Sequence, residues 1–297
     1  YPWCQEFMPN SLRGKYSGQV QILSTVGGAL AIWLAGVALG HGQGLGRYLW
    51  LIGLGCFLGF LGVLAMMALP GGGPRPVAEG FAGHRRHLVA AVSDGNFREY
   101  LLATGAVTLG SVLLLAFLPL YIKQQLAVPS GIVVTLEVAW LAGAALSGWL
   151  LGRAADRVGS RPVLLCSSAA SLLVPLAWLL LPRHVPHAVV WCGLLYVVQG
   201  ITASGIAIAA GRLLFNSVIP PAQSTAYTAI YYAWIGITGG LAPLLAGQIL
   251  ERCGTWQLDF GGVLLDGHAI LFAGATLLLA LGWWRYAKVR PDDPHRT

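Results

Sequence analysis

One carboxylate lies within an otherwise apolar stretch of this chain, where a carboxylate can exchange a proton or hold a cation. Glu137 is the only charged residue well inside an apolar run, about seven residues and so roughly 10 Å from its end. A charge there is costly in hydrocarbon and marks an ion pathway or a bound partner. Alternatively, Glu137 reaches the nearer interface or makes one structural hydrogen bond, and the sequence leaves both interpretations open.

A second group combines aromatic rings with an amide, which are side chains that bind small solutes. Tyr196 and Gln199 fall on one helical face, because steps of three and four residues return to the same side. Tyr227, Tyr231 and Trp234 share a face in the same way. Aromatic core packing is the alternative for each of them. The candidate substrate and coupling residues are Glu137, Tyr196, Gln199, Tyr227, Tyr231 and Trp234.

The segment from Gly152 to Pro162 reads GRAADRVGSRP and separates two apolar runs as a tight basic loop. Gly152 and Gly159 permit close packing and a sharp turn. Asp156 is expected to cap the next helix and to pair with a nearby arginine. The alternative is an ordinary basic turn, but the Gly-x-x-x-Asp-Arg-x-Gly-x-Arg spacing favours a dedicated motif.

Patterns for catalysis and nucleotide binding are missing from the sequence. It contains no GxxxxGK[ST] phosphate loop, no HExxH and no GxSxG. The cysteines lack metal-ligand spacing, and the histidines fall almost all between the apolar runs, as solvated residues do. We therefore expect no enzyme activity, cofactor, metal or nucleotide.

The composition indicates the class of protein that carries these residues. Hydrophobic residues make up 56% of the chain and charged residues 10%, whereas soluble domains carry about 25% charged residues. The mean hydropathy is +0.69. So little polar surface excludes a soluble enzyme or a nucleic-acid binder and predicts an all-α integral membrane protein in contact with the lipid bilayer.

Eight segments are long and apolar enough to cross a bilayer, which requires about 20 residues. They are 17–39, 47–69, 99–122, 130–152, 163–181, 188–211, 223–248 and 267–285. With the N-terminus inside, the inner loops hold 14 of the 18 lysines and arginines. This asymmetry predicts that both termini are cytoplasmic, in a plasma (inner) membrane.

The basic loop resembles the signature cytoplasmic motif of the major facilitator superfamily of secondary transporters. In that family the motif follows the second helix of each six-helix half, and here it follows the second apolar run after a long inner loop. The resemblance implies a role in conformational switching, not in substrate contact. It assigns that role to Gly152, Asp156, Arg157, Gly159 and Arg161.

A second resemblance lies near the start of the chain. Trp3, Pro9 and the segment RGKYSG at 13–18 are similar to the loop before the fifth helix of some members. The chain then corresponds to helices five to twelve, with the first four missing. This implies a two-helix remnant at 1–69, a central cytoplasmic loop at 70–98 and a complete six-helix half at 99–297, built as inverted repeats.

The resemblance implies alternating-access transport of a small solute, with Glu137, Gln199 and Trp234 on helices that line the family's cavity. Proton coupling would use Glu137. Glycines at 27, 36, 40 and 44 match part of the motif of proton-coupled drug antiporters, although His41 and Leu45 depart from it. The match indicates efflux as one form of this transport.

Two other functions remain open. A chain without the first four helices could be a truncated, non-transporting protein or a scaffold. A membrane-embedded lipid enzyme would need clustered acids, but Asp94, Glu99 and Asp156 form no recognisable acid–base or metal set.

Overall fold

The computed structural model describes residues 23, 25–38, 45–68, 81–181, 187–220, 224–253, 258–260 and 263–292. Within these ranges the chain is helical apart from one short hairpin, and seven helical spans are long and apolar enough to cross a membrane. The predicted all-α membrane protein is confirmed. The eighth predicted segment, 17–39, is represented by the shorter helix Thr25–Ala38, and its polar first part lies outside the described residues.

The first of two compact units comprises Tyr1–Ala78 and Pro129–Val138. Its described helices are α1 (Thr25–Ala38), α2 (Leu45–Met67) and the start of α5 (Ser130–Val158). A Cβ on Gly36 would lie 2.6 Å from Cγ2 of Thr135, so α1 and α5 cross closely there. The side chains of α2 are exposed along the helix, as a lipid-facing helix requires.

The second unit comprises Glu79–Val128 and Ala139–Thr297. Besides the rest of α5, its elements are α3 (Phe81–Ser93), α4 (Gly95–Gln125), α6 (Ser160–Ser171), α7 (Leu173–Leu180), α8 (Ala188–Leu213), a π-helical turn (Leu214–Val218), α9 (Ser224–Cys253), β1 (Leu258–Phe260), β2 (Val263–Leu265) and α10 (Gly267–Tyr286). The two strands pair antiparallel.

Two of these spans depart from a regular helix. The predicted segment 163–181 is divided at Leu172 into α6 and α7. In a regular α-helix the carbonyl of Ser171 would accept a hydrogen bond from the amide of residue 175. Because Pro175 has no amide hydrogen, this bond is missing and the helix breaks. The span that begins with α8 ends in the π-helical turn, a geometry that often accompanies functional segments.

A buried hydrophobic cluster of the second unit lies at one end, where α4, α6 and α9 begin and α5, α8 and α10 end. We call it the arginine-rich end, because it carries Arg98, Arg153, Arg157, Arg161, Arg212 and Arg285. Phe97, Tyr100, Leu213 and Tyr286 are fully buried there. Asp94 caps α4 by accepting hydrogen bonds from the amides of Asn96 and Phe97 at 2.9 and 3.3 Å.

Candidate functional site

Trp234 ties α9 to α4 through its indole nitrogen. Nε1 donates a hydrogen bond of 2.8 Å to the carbonyl oxygen of Leu101. A Cβ on Gly105 would overlap the indole, so the glycine provides the space in which the ring lies. Trp234 is half-buried, so part of the ring is not covered by the described residues.

Tyr231, one turn earlier on α9, belongs to a cluster of tyrosines. Its ring centroid lies 6.0 Å from that of Tyr100, which lies 5.9 Å from that of Tyr286. The hydroxyl of Tyr100 donates to the carbonyl of Ala210 at 2.9 Å, and Tyr286 hydrogen-bonds Thr104 at 2.9 Å. The cluster therefore joins α4, α8, α9 and α10, and Tyr231 forms its half-buried edge.

Tyr227 contacts the start of α4. Its hydroxyl donates to Oδ2 of Asp94 at 3.2 Å, and its ring centroid lies 4.6 Å from that of Phe97. The side chain is 4% exposed and lies in the first turn of α9. It thus secures the start of α9 against the capped start of α4.

Tyr196 and Gln199 are both buried on α8. The ring of Tyr196 packs 5.9 Å from that of Trp178. Oε1 of Gln199 has no hydrogen-bond partner among the described residues. A buried acceptor of this kind is costly, so a solute that donates a hydrogen bond would be favoured there.

The same face of α8 packs tightly against α5. A Cβ on Gly200 would overlap the carbonyl oxygen of Trp140, and one on Gly143 would overlap that of Val197. Glycine at both positions lets the two backbones approach, as membrane helices without a hydrophobic driving force require. Gln199 is therefore held on a rigid helix pair.

Glu137 lies in the part of α5 that belongs to the first unit, whereas the other five candidates lie in the second. It is half-buried inside a membrane-spanning helix. Its neighbours Leu136 and Val133 on α5 are buried, at 6% and 5% exposure. The carboxylate is therefore kept within an apolar span.

The basic motif is not a loop along its whole length. Residues 152–158 continue α5 as helix, and only Gly159, with φ +90°, separates α5 from α6. The turn at Gly159 is confirmed, because that backbone conformation strains any residue with a side chain. The close packing expected at Gly152 is wrong for the part of the chain that the structure describes, since a Cβ there would meet none of its atoms within 4 Å.

Asp156 was expected both to cap the next helix and to pair with an arginine. It forms an ion pair with Arg212 at the end of α8, so the pairing is confirmed. The cap is wrong: the amides of Ser160 and Arg161 are bound by Asp292, far along the chain. Asp156 is on the last turn of a helix that continues to Val158, so its side chain is directed elsewhere.

The three carboxylates considered for lipid chemistry all have partners. Asp94 caps α4, Asp156 pairs with Arg212, and Glu99 binds Arg285 through both oxygens at 3.0 Å. Among the described residues, no group of three or more His, Cys, Asp or Glu side chains could hold a metal ion.

His268 falls in the predicted segment 267–285, unlike the histidines between the apolar runs, and is buried. His268 is 8% exposed in the first turn of α10, and its Nδ1 lies 3.5 Å from Oδ2 of Asp266. Asp266 caps α10 by accepting hydrogen bonds from the amides of His268 and Ala269. An acid directly before an apolar run is a helix-start signal, and the helix begins where the predicted segment 267–285 does.

Comparison with known proteins identifies one matching protein family. The family model described as Major Facilitator Superfamily matches residues 100–297. No curated protein matches the chain. The matched residues include almost all of the six spans from α4 to α10, with the tyrosine cluster, Trp234 and the basic motif among them.

Proposed function

The chain belongs to the major facilitator superfamily, and on that basis we propose that it moves a small solute across the membrane by alternating access. The family match over residues 100–297 is the observation that carries this proposal, because the family consists of secondary transporters. The seven apolar spans support it independently. In this mechanism helices rock around a site near mid-membrane, which opens first to one side and then to the other.

For the solute site we propose Trp234, Tyr231 and Gln199. Trp234 and Tyr231 are half-buried rings, and Gln199 has an acceptor without a partner among the described residues. These groups suit a small solute with an apolar face and one hydrogen-bond donor. Tyr196 and Tyr227 are almost fully buried and would act by holding these residues in position.

We propose proton-coupled efflux as the form of transport, from the cytoplasmic side that the basic residues predict. Glu137 supports the coupling, since it is a carboxylate within an apolar span. Gly27 and Gly36, which match part of the antiporter motif, lie on described residues, whereas positions 40, 41 and 44 lie outside them. The segment at 1–18 that resembles a family loop lies outside them too.

A thermal-shift screen of the purified chain against a solute panel at two pH values tests the proposal. A solute that binds only the folded state raises the melting temperature. We expect at least one solute to do so, and Trp234→Ala and Gln199→Ala to abolish that shift. Trp191→Ala is the matched control, because Trp191 is exposed on α8 and should leave the shift intact.

Trp234→Phe is a milder variant than Trp234→Ala, since it keeps one aromatic ring while it loses the hydrogen bond to Leu101 and part of the indole volume. A hit must then be transported by proteoliposomes that contain the chain. A folded chain that binds none of the panel, or that binds a solute without moving it, would favour the non-transporting alternative.

The ion pair between Asp156 and Arg212 provides a second test of the mechanism. Both side chains are partly exposed, with 62% and 33% of their surfaces accessible, so the pair stabilises the fold by under about 1 kcal/mol. If the pair forms in only one of the two access states, about 1 kcal/mol changes the ratio of their populations roughly fivefold. We expect Asp156→Ala to slow transport about fivefold while the melting temperature changes little.

The charge-swapped double variant Asp156→Arg with Arg212→Asp should recover most of the lost rate, as measured by solute flux in proteoliposomes. Wild-type flux in Asp156→Ala would exclude a switching role for this pair. A collapse of the melting temperature would instead make the pair structural.

A further inference from the structure

The six residues that follow α10 run across the arginine-rich end as an ordered segment, which we call the strap (residues 287–292). Val289 is 1% exposed and belongs to the buried core at this end. The amide of Arg290 donates to Oδ1 of Asn96 on α4 at 2.9 Å. The strap is thus anchored to the first turn of α4 and to the core.

The strap also contacts the π-helical turn that ends the α8 span. The hydroxyl of Ser217 donates to the carbonyls of Arg290 and Pro291, at 3.3 and 3.2 Å. A π-helical turn is a less regular geometry than an α-helix and frequently occurs at functional segments. The strap therefore binds the π-helical turn directly.

At its end the strap supplies a missing helix cap. The N-cap position of α6 is Gly159, which has no side chain to bind the free amides of the first turn. Asp292 binds them instead. The amide of Ser160 lies 2.9 Å from Oδ1 and 3.1 Å from Oδ2, and the amide of Arg161 lies 3.3 Å from Oδ1. A carboxylate at this position also interacts favourably with the helix dipole.

A second bond closes the contact in the opposite direction. The guanidinium of Arg161 donates to the carbonyl of Ala287, the first residue of the strap. The strap therefore binds the turn of the basic motif at both of its own ends, and Ser160 between these bonds is fully buried. The turn, the strap and the π-helical turn form one connected set of hydrogen bonds.

We propose that Asp292 is the positioning residue of the basic motif. It holds the turn at Gly159–Arg161 through the strap and couples that turn to the π-helical turn. The proposal rests on the proposed function for its consequence in transport, but not for the contact itself. A helix cap supplied from the far end of the chain can be released without unfolding α6, whereas a local cap moves with its own helix. Release of Asp292 would free the turn and the π-helical turn together.

Hydrogen–deuterium exchange of the whole chain in lipid nanodiscs tests the coupling. We expect Asp292→Ala to speed amide exchange at least about fivefold both in residues 160–164 and in residues 214–220, which corresponds to the loss of a helix cap. Asp292→Asn should exchange like the wild type, because asparagine caps a helix about as well as aspartate. Glu251→Ala removes the same charge at an exposed position near the end of α9 and should change neither segment.

Unchanged exchange at 160–164 in Asp292→Ala would overturn the cap. Faster exchange at 160–164 together with a wild-type exchange rate at 214–220 would overturn the coupling through the strap. In proteoliposomes, Asp292→Ala should slow solute flux several-fold and Asp292→Asn should restore it. Wild-type flux in Asp292→Ala would overturn the role in switching. A wild-type chain that moves no solute would refute the proposed function, and the hydrogen exchange result alone would then test whether the strap couples the two turns.

Discussion

Replacement of Gly200 by valine should leave almost no folded protein in the membrane. A Cβ at this position would overlap the carbonyl oxygen of Trp140 and lie 3.0 Å from the amide nitrogen of Ala144. Both are backbone atoms of α5, so no side-chain rotation relieves the clash, and the helices must separate. Overpacking of a tight contact costs about 1–3 kcal/mol, and we expect a value at or above the upper end here because backbone is involved.

The matched control is Gly236→Val on α9. A Cβ on Gly236 would meet no atom of the described residues within 4 Å, so the same change in a helix of similar length adds no clash with them. Size-exclusion chromatography in mild detergent and a thermal melt measure the difference. Gly143→Val should behave like Gly200→Val, because a Cβ there would overlap the carbonyl of Val197 across the same contact. Wild-type melting in both variants would mean that α5 and α8 do not cross in this way.

The positions of the spans could be predicted from the sequence because a bilayer imposes its own thickness on every crossing helix. The ends were less accurate. The predicted segment 130–152 is the helix Ser130–Val158, since hydropathy falls at Arg153 while backbone hydrogen bonding continues into the interface. The helix that contains the basic motif was therefore mistaken for a loop.

Helix faces were harder to predict than helix positions. In a soluble helix the apolar stripe marks the buried side, but lipid-facing and protein-facing positions in a membrane are equally apolar. Tyr196 and Gln199 were predicted to share a face that binds a solute, and in the structure the adjoining Gly200 contacts α5 through its backbone. The cap of α6 by Asp292 joins residues 132 positions apart, so no local pattern reports it.

Glu137→Gln should abolish solute movement driven by a pH gradient and leave solute exchange intact. Glutamine keeps the shape of the side chain and, like the protonated acid, both accepts and donates hydrogen bonds, but it cannot take up and release a proton. Counterflow exchanges one solute molecule for another with no net proton movement, so it does not need a group that titrates. Accumulation against a gradient does need one, and Glu137 lies within an apolar span of α5.

Proteoliposomes with an imposed pH gradient measure both processes on the same preparation. Glu251→Gln is the matched control, because Glu251 is an exposed carboxylate at the end of α9 and its loss should change neither. Gradient-driven movement at the wild-type level in Glu137→Gln would exclude proton coupling through this residue. Loss of both processes with a normal melting temperature would assign Glu137 to solute binding, because a group that only carries the proton is dispensable in exchange. The two assays, read together with the melting temperature, therefore separate a role in proton coupling from a role in solute binding and from a structural role.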